Sequence, residues 1–404
     1  MTLILANLQI HTEKNELSRA CVVIRDDKIV ALETDLKIAL EKFQSADVIE
    51  FPNNYHLVPG FIDLHTHGAN GSDVMDGTQD ALINISKTLA KEGTTGFLAT
   101  TMTASADAIE KALTNVCEFM QASEKVGASI LGVHLEGPFI SAKKMGAQCA
   151  DEILVPSVTS IERWQKVSGN AIKLVTLAPE LENSGEVIRY LKQNNIIASM
   201  GHTHASYAES VMAIEEGCSH ATHLFNAMRG IHQREPGVVA AALLSEKVIA
   251  ELIVDGVHLH PAIVELAFKL KGKDKIVLIT DAMRAKCLHD GVYELGGQAV
   301  VVKNKVASLE DGTLAGSVLT MNSALQNVLT FTGCSLADAI KMASENPARE
   351  LGVFAKKGSI ALNKDADLVV LDDKLNVMLT VCGGKIAYQA SSTLPCKNKP
   401  SPAL

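Results

Sequence analysis

Five apolar runs of this sequence lead into residues that bind metals or move protons. Val58–Leu64 runs into His65-Thr66-His67, and Ser129–Leu135 into Glu136. Ile196–Met200 precedes His202, His220–Leu224 carries His223, and Ile276–Thr280 leads into Asp281. Histidine nitrogens and carboxylate oxygens form a ligand set suited to zinc, iron and similar divalent ions, and no cysteine joins them. In an extended segment alternate side chains point the same way, so the imidazoles of His65 and His67 share one side. A divalent ion held by such a set would act as a Lewis acid, lowering the pKa of bound water and polarising a bound substrate. Each residue also has a plain structural reading. A strand-end histidine is commonly just hydrogen-bonded, Glu136 can cap the loop it opens, and Asp281 can cap a helix starting at Ala282. Five such coincidences at five strand ends weigh against that reading.

The elements that must position these residues are legible from periodicity. From residue 58 to 360, eight apolar runs alternate with helical patterns: the five above plus Gly96–Thr100, Lys173–Ala178 and Ile249–Val254. Helical stretches fall between them at Gln79–Glu92, Ser105–Glu124, Ser184–Gln193 and Tyr207–Glu216. Eightfold strand–helix alternation is the pattern of an α/β (β/α)8 barrel, whose C-terminal strand ends ring one mouth and bring distant residues together. An open dinucleotide-binding sheet is the competing architecture, but no G-x-G-x-x-G follows the first run. After the eighth run, Gln298–Ser308 reads as an inserted hairpin, with helices at Asn322–Phe331 and Leu336–Ser344. Leu3–Ile10 and Cys21–Ile29 near one end, and Ala366–Leu371 and Val377–Ile386 near the other, read as short strands between polar turns. The expected organisation is a small β-sandwich domain from residues 1–57 and 361–404, flanking a catalytic barrel over 58–360. The tail Lys397–Leu404 is expected to fray.

Bulk composition bounds the partners. A formal charge of −9 argues against nucleic acid or an anionic membrane surface, although a few local cations can still hold a phosphorylated metabolite. The eight cysteines include no CxxC pair, which favours reduced thiols over a zinc ribbon or a disulfide framework. The N-terminus MTLILANLQI lacks a basic segment and a small-residue cleavage site, and no apolar run reaches the ~18–20 residues of a membrane span. A soluble, cytoplasmic protein is expected.

Several segments also carry a family resemblance. Pro59-Gly60-Phe61-Ile62-Asp63-Leu64-His65-Thr66-His67-Gly68 resembles the opening signature of the amidohydrolase superfamily. His134-Leu135-Glu136-Gly137-Pro138-Phe139, Gly201-His202-Thr203, Thr222-His223-Leu224-Phe225-Asn226-Ala227-Met228, Arg234-Glu235-Pro236-Gly237, Asp255-Gly256-Val257-His258 and Thr280-Asp281-Ala282 follow in that order. Together they resemble the N-acetylglucosamine-6-phosphate deacetylase family, from about residue 3 to residue 388. The resemblance implies a barrel with a small β domain from both termini and one or two divalent metals per subunit, zinc or iron. It implies Glu136, His202 and His223 as the main ligands, His65 and His67 as ligands of a second ion, and Asp281 as the catalytic carboxylate. It further implies an amino-sugar phosphate substrate held by Ala147, Gln148, Asn226, Ala227, His258, Leu314, Ala315 and Gly316. Arg234 would reach the neighbouring active site of a homodimer. Two features depart from some members: His65 and His67 are both present, and Gln148 stands where those members carry a histidine that polarises the acetyl carbonyl. A second metal at His65 and His67 would make that histidine dispensable. The rival readings are an N-acetylgalactosamine-6-phosphate deacetylase, a cyclic-amide hydrolase and an inactive barrel scaffold. Against the cyclic-amide reading, the fourth run ends in Leu177-Ala178-Pro179-Glu180 rather than in the lysine those enzymes carbamylate.

Overall fold

A computed structural model of the protein describes residues 2–122 and 127–391. Eight parallel strands follow one another in sequence order around a barrel: Phe61–Thr66, Thr94–Thr100, Ser129–Glu136, Ile172–Leu177, Ile197–Met200, His220–Ala221, Ile249–Ile253 and Ile276–Ile279. They correspond one to one with the eight apolar runs. Strands buried on both faces read as continuous apolar stretches rather than alternating ones, which is why they stand out in sequence. The ring is closed just beyond the eighth strand, where Asp281 N–H donates to the His65 carbonyl at 2.8 Å and His67 N–H donates to the Ala282 carbonyl at 2.9 Å. The closure itself therefore fixes the backbone of three predicted site residues.

Helices cover the outside. Gln79–Ala90 starts at Thr78, whose hydroxyl accepts from Ala81 N–H, and it buries Leu82, Ile85 and Leu89 along one stripe. Ala106–Gln121, Ser184–Gln193 and Tyr207–Glu216 lie where helical periodicity places them. The expected extension of the second of these four helices to Glu124, and the tail Lys397–Leu404, fall outside the described residues. Among the described residues no helix is long and apolar enough to cross a membrane.

The terminal segments form a separate eight-stranded sheet. Thr2–His11, Glu16–Arg25, Lys28–Glu33, Asp47–Glu50 and His56–Pro59 join Leu368–Leu371, Val377–Cys382 and Lys385–Gln389. One face packs around Leu5, Leu57, Leu368 and Val381; the other holds Ile4, Cys21 and Val23 beneath the short helix Leu36–Lys42.

The apolar run Val58–Leu64 is not a single strand. His56–Pro59 pairs antiparallel with Leu368–Leu371 in the terminal sheet, and only Phe61–Thr66 enters the barrel. Gly60 makes the break: a Cβ there would lie 2.0 Å from Thr95 Oγ1, so only glycine lets the chain pass between the two sheets. The expected hairpin Gln298–Ser308 is part of a three-stranded sheet of Gly291–Leu295, Gln298–Lys303 and Val306–Ser308. Its inner side chains Leu295, Val300 and Val302 pack on Met102, Ala147 and Met283 beside the barrel mouth.

Candidate metal centre and substrate cleft

Glu136 is the last residue of the third strand, while His202, His223 and Asp281 each sit two residues beyond the fifth, sixth and eighth. These last three have positive φ angles of 45°, 32° and 48°. That left-handed region is uncommon for residues with a Cβ and costs about 1–3 kcal/mol, and such strain gathers at functional sites. Here the turn ends each strand and leaves the side chain at the barrel mouth.

Glu136 occupies the middle of the cluster. Its Oε1 lies 3.1 Å from His223 Nε2, 3.2 Å from His202 Nε2 and 3.4 Å from His65 Nε2. Its Oε2 lies 3.2 Å from His67 Nε2. Asp281 Oδ1 sits 3.4 Å from His65 Nε2 and 3.3 Å from His67 Nε2. Two triads result, His65 with His67 and Asp281, and Glu136 with His202 and His223, each with its ligand atoms within 4.8 Å of one another.

This donor set fits divalent cations. The Nε2 atoms of His202 and His223 face each other at 3.1 Å, and the buried His65 Nε2 has no hydrogen-bond partner. His202 Nδ1 donates to the Lys144 carbonyl at 2.9 Å, so its Nε2 presents a lone pair to the centre. Convergent lone pairs in a buried site repel unless positive charge sits between them, which is what a metal supplies. The titration behaviour agrees. Burial alone would push the imidazole of His67 down, but the Asp281 and Glu136 carboxylates outweigh it and raise it to about 9. His65 is likewise raised well above its ordinary value against its burial, chiefly by Glu136 and Asp281. Burial opposes ionisation of Glu136 and Asp281, yet His65 and its neighbours hold both below the usual carboxylate range. The buried cluster attracts positive charge strongly.

Above the cluster lies a cavity of about 500 Å3. Ala147, Gln148, Asn226, Ala227, His258, Leu314 and Gly316 line it together with His67, Glu136, His202, His223 and Asp281. Ala315 is fully buried in the apolar cluster under the three-stranded sheet and does not line it. Arg234 is exposed on the loop before helix Gly237–Leu244 and does not line the cavity of its own chain. His258 is fixed by Asp255, whose Oδ2 takes its Nδ1–H at 2.7 Å and whose Oδ1 accepts from the backbone of Val257 and His258. Gln148 is engaged at both ends: its Nε2–H donates to Glu136 Oε2 at 2.9 Å, and its Oε1 accepts from Thr103 N–H at 2.7 Å. Its amide holds Glu136 in this structure, in addition to edging the cavity. Sequence reasoning missed Asp311 and Thr313, which line the cavity just before Leu314, joined by Thr313 N–H donating to Asp311 Oδ1. It also missed Met145, Gly146 and Leu295, while the loop lysines Lys143 and Lys144 do line the wall.

Comparison with known proteins agrees with this architecture. Residues 56–387 match the model of the amidohydrolase family. The N-acetylglucosamine-6-phosphate deacetylase of Bacillus subtilis is 46% identical over 389 residues, covering 96% of this chain and 97% of that protein. The N-acetylgalactosamine-6-phosphate deacetylase of Escherichia coli is 38% identical over 331 residues, covering 82% of this chain and 87% of that one. Among solved structures, a mutant N-acetyl-D-glucosamine-6-phosphate deacetylase of Mycobacterium smegmatis, in complex with N-acetyl-D-glucosamine 6-phosphate, superposes with a TM-score of 0.88 at 32% identity, covering 96% of this chain and 99% of its own. With the family model spanning most of the chain and close relatives matching nearly end to end, this chain belongs to the amidohydrolase superfamily, in its N-acetylglucosamine-6-phosphate deacetylase family.

Proposed function

We propose that this protein hydrolyses the acetamido group of N-acetyl-D-glucosamine 6-phosphate to D-glucosamine 6-phosphate and acetate. The observation that carries the proposal is the placement of Asp281 on both a metal-type triad and the wall of a cavity large enough for a hexose phosphate. Glu136, His202 and His223 would hold one divalent ion, and His65 and His67 a second, zinc and iron both suiting this nitrogen–oxygen set. A divalent ion bound there supplies Lewis acidity that lowers the pKa of water toward ~7 and stabilises negative charge on the amide oxygen. Asp281, held ionised by its histidine neighbours against its burial, takes the proton of the attacking water. It returns that proton to the amine nitrogen as the C–N bond breaks, so base and acid are one carboxyl group. Gln148 keeps the Glu136 carboxylate from rotating, through its 2.9 Å donation to Oε2.

Substrate placement falls to the rest of the wall. Asn226, Ala227 and His258 hold the sugar phosphate, and Leu314 and Gly316 edge the sugar ring. Arg234, exposed in its own subunit, completes the phosphate site of a partner in a homodimer. In this arrangement the barrel forms the catalytic domain, with the terminal sheet as an accessory β domain. The cysteine spacing, with no CxxC motif, supports a reducing, cytoplasmic setting.

The galactosamine epimer is the second reading, favoured by the Escherichia coli relative. Acetate release measured on both 6-phosphorylated N-acetylhexosamines, and on their unphosphorylated forms, separates the two. The highest kcat/KM is expected on the glucosamine phosphate, and a preference for the galactosamine phosphate would reverse the assignment. In the same assay Arg234→Ala should raise KM about ten- to a hundredfold for phosphorylated substrate, the scale of one lost charge-assisted contact. Equal losses on phosphorylated and unphosphorylated sugars would remove Arg234 from phosphate binding.

A further inference from the structure

Barrel interiors are ordinarily filled by layers of branched apolar side chains. This barrel instead carries a chain of ionisable groups leading away from the metal centre. Glu251, in the middle of the seventh strand, is fully buried and outside the substrate cavity. Its Oε2 accepts from His65 Nδ1–H at 3.2 Å and from the backbone N–H of His223 at 3.0 Å. Its Oε1 lies 3.2 Å from His220 Nε2, and His220 Nδ1 lies 3.3 Å from Glu350 on the helix Asn346–Glu350. The backbone follows the same path, since Leu224 N–H donates to the Glu251 carbonyl at 2.9 Å. Burying charges is costly unless they are paired and hydrogen-bonded, so a chain of this kind calls for a reason beyond stability.

We infer that Glu251 is a positioning residue whose single oxygen Oε2 sets the geometry of both halves of the metal centre at once. By taking the Nδ1–H of His65 it fixes that ring with Nε2 toward Glu136 and Asp281. By taking the N–H of His223 it braces the left-handed turn from which the His223 imidazole reaches Glu136. One carboxylate thus couples the His65–His67–Asp281 triad to the Glu136–His202–His223 triad. His220 and Glu350 anchor it from behind: burial works against charge on His220, but Glu251 and Glu350 outweigh it and raise the imidazole to about 9, balancing the carboxylates. Partners that orient metal-binding histidines in this way typically change metal affinity about 10–100-fold when altered.

The inference rests on the metal reading above, and the test separates the two. The metal dissociation constant would be measured by chelator competition on wild type, Glu251→Asp and Glu251→Gln, each first checked by circular dichroism. Aspartate keeps the charge but withdraws it by one methylene, so it should weaken metal binding about 10–100-fold. Glutamine leaves an acceptor at the Oε2 position and should weaken it less than aspartate does. Wild-type metal affinity in the folded aspartate variant, or a glutamine variant affected as severely as aspartate, would overturn the positioning role. Should the aspartate variant fail to fold, zinc-loaded wild type with 15N-labelled histidine decides the matter. An exchange-protected Nδ1–H on His65 supports the contact to Glu251, and a freely exchanging one refutes it. A wild-type protein that binds no divalent ion would instead defeat the metal reading itself.

Discussion

Asp281→Asn should abolish turnover of N-acetyl-D-glucosamine 6-phosphate while leaving its binding measurable. The amide nearly matches the carboxylate in shape but cannot accept a proton at neutral pH. General acid–base catalysis is worth ~10²–10⁴-fold, and a group serving both proton transfers belongs at the upper end of that range. The substitution also takes a negative charge away from His65 Nε2 and His67 Nε2, both within 3.4 Å of Asp281 Oδ1. Metal content should therefore be measured alongside activity. Binding can be followed by calorimetry, since catalysis no longer consumes the ligand. Turnover within tenfold of wild type would remove Asp281 from the proton transfers.

The second large effect is expected from replacing His65 and His67 together by asparagine. Elemental analysis should find the bound metal falling from two ions per chain to one, and kcat should drop by roughly a hundredfold or more, the scale on which a preorganised electrostatic stabiliser acts. The loss follows from the geometry. Without these imidazoles Glu136 Oε2 keeps only the Gln148 amide among its close partners, and Asp281 Oδ1 loses two imidazole neighbours. Equal metal content in variant and wild type would show that the pair holds no ion.

Much of this site was legible in the sequence because of where its polar residues fall. Glu136 and Asp281 adjoin apolar runs, and a parallel barrel brings the ends of such runs to one mouth. Their partners were harder to read. Gln148 lies twelve residues from Glu136 in a loop without periodicity, so its hydrogen bond to that carboxylate exists only in three dimensions. The start of the first barrel strand was misplaced because one unbroken apolar run crosses from the terminal sheet to the barrel at Gly60, and hydrophobicity does not record a change of sheet. Glu251 did leave a signal. A glutamate inside Ile249-Ala250-Glu251-Leu252-Ile253 puts a charge in a strand buried along its whole length, and such charges are rare unless paired. His220 gave no comparable cue, since a histidine within a strand is compatible with ordinary packing. Asp311 and Thr313 became recognisable only once their loop was seen to form the cavity wall.

Deacetylation of an amino-sugar phosphate by this protein depends, on the proposal above, on a metal centre built on Glu136. The most direct test is acetate release from N-acetyl-D-glucosamine 6-phosphate by protein stripped of metal with a chelator, and again after stoichiometric zinc or iron is returned. Stripped protein should lose activity in proportion to its residual metal, and restoring the ion should bring activity back without change in the fold. Full acetate release from protein that elemental analysis finds free of metal would contradict the account.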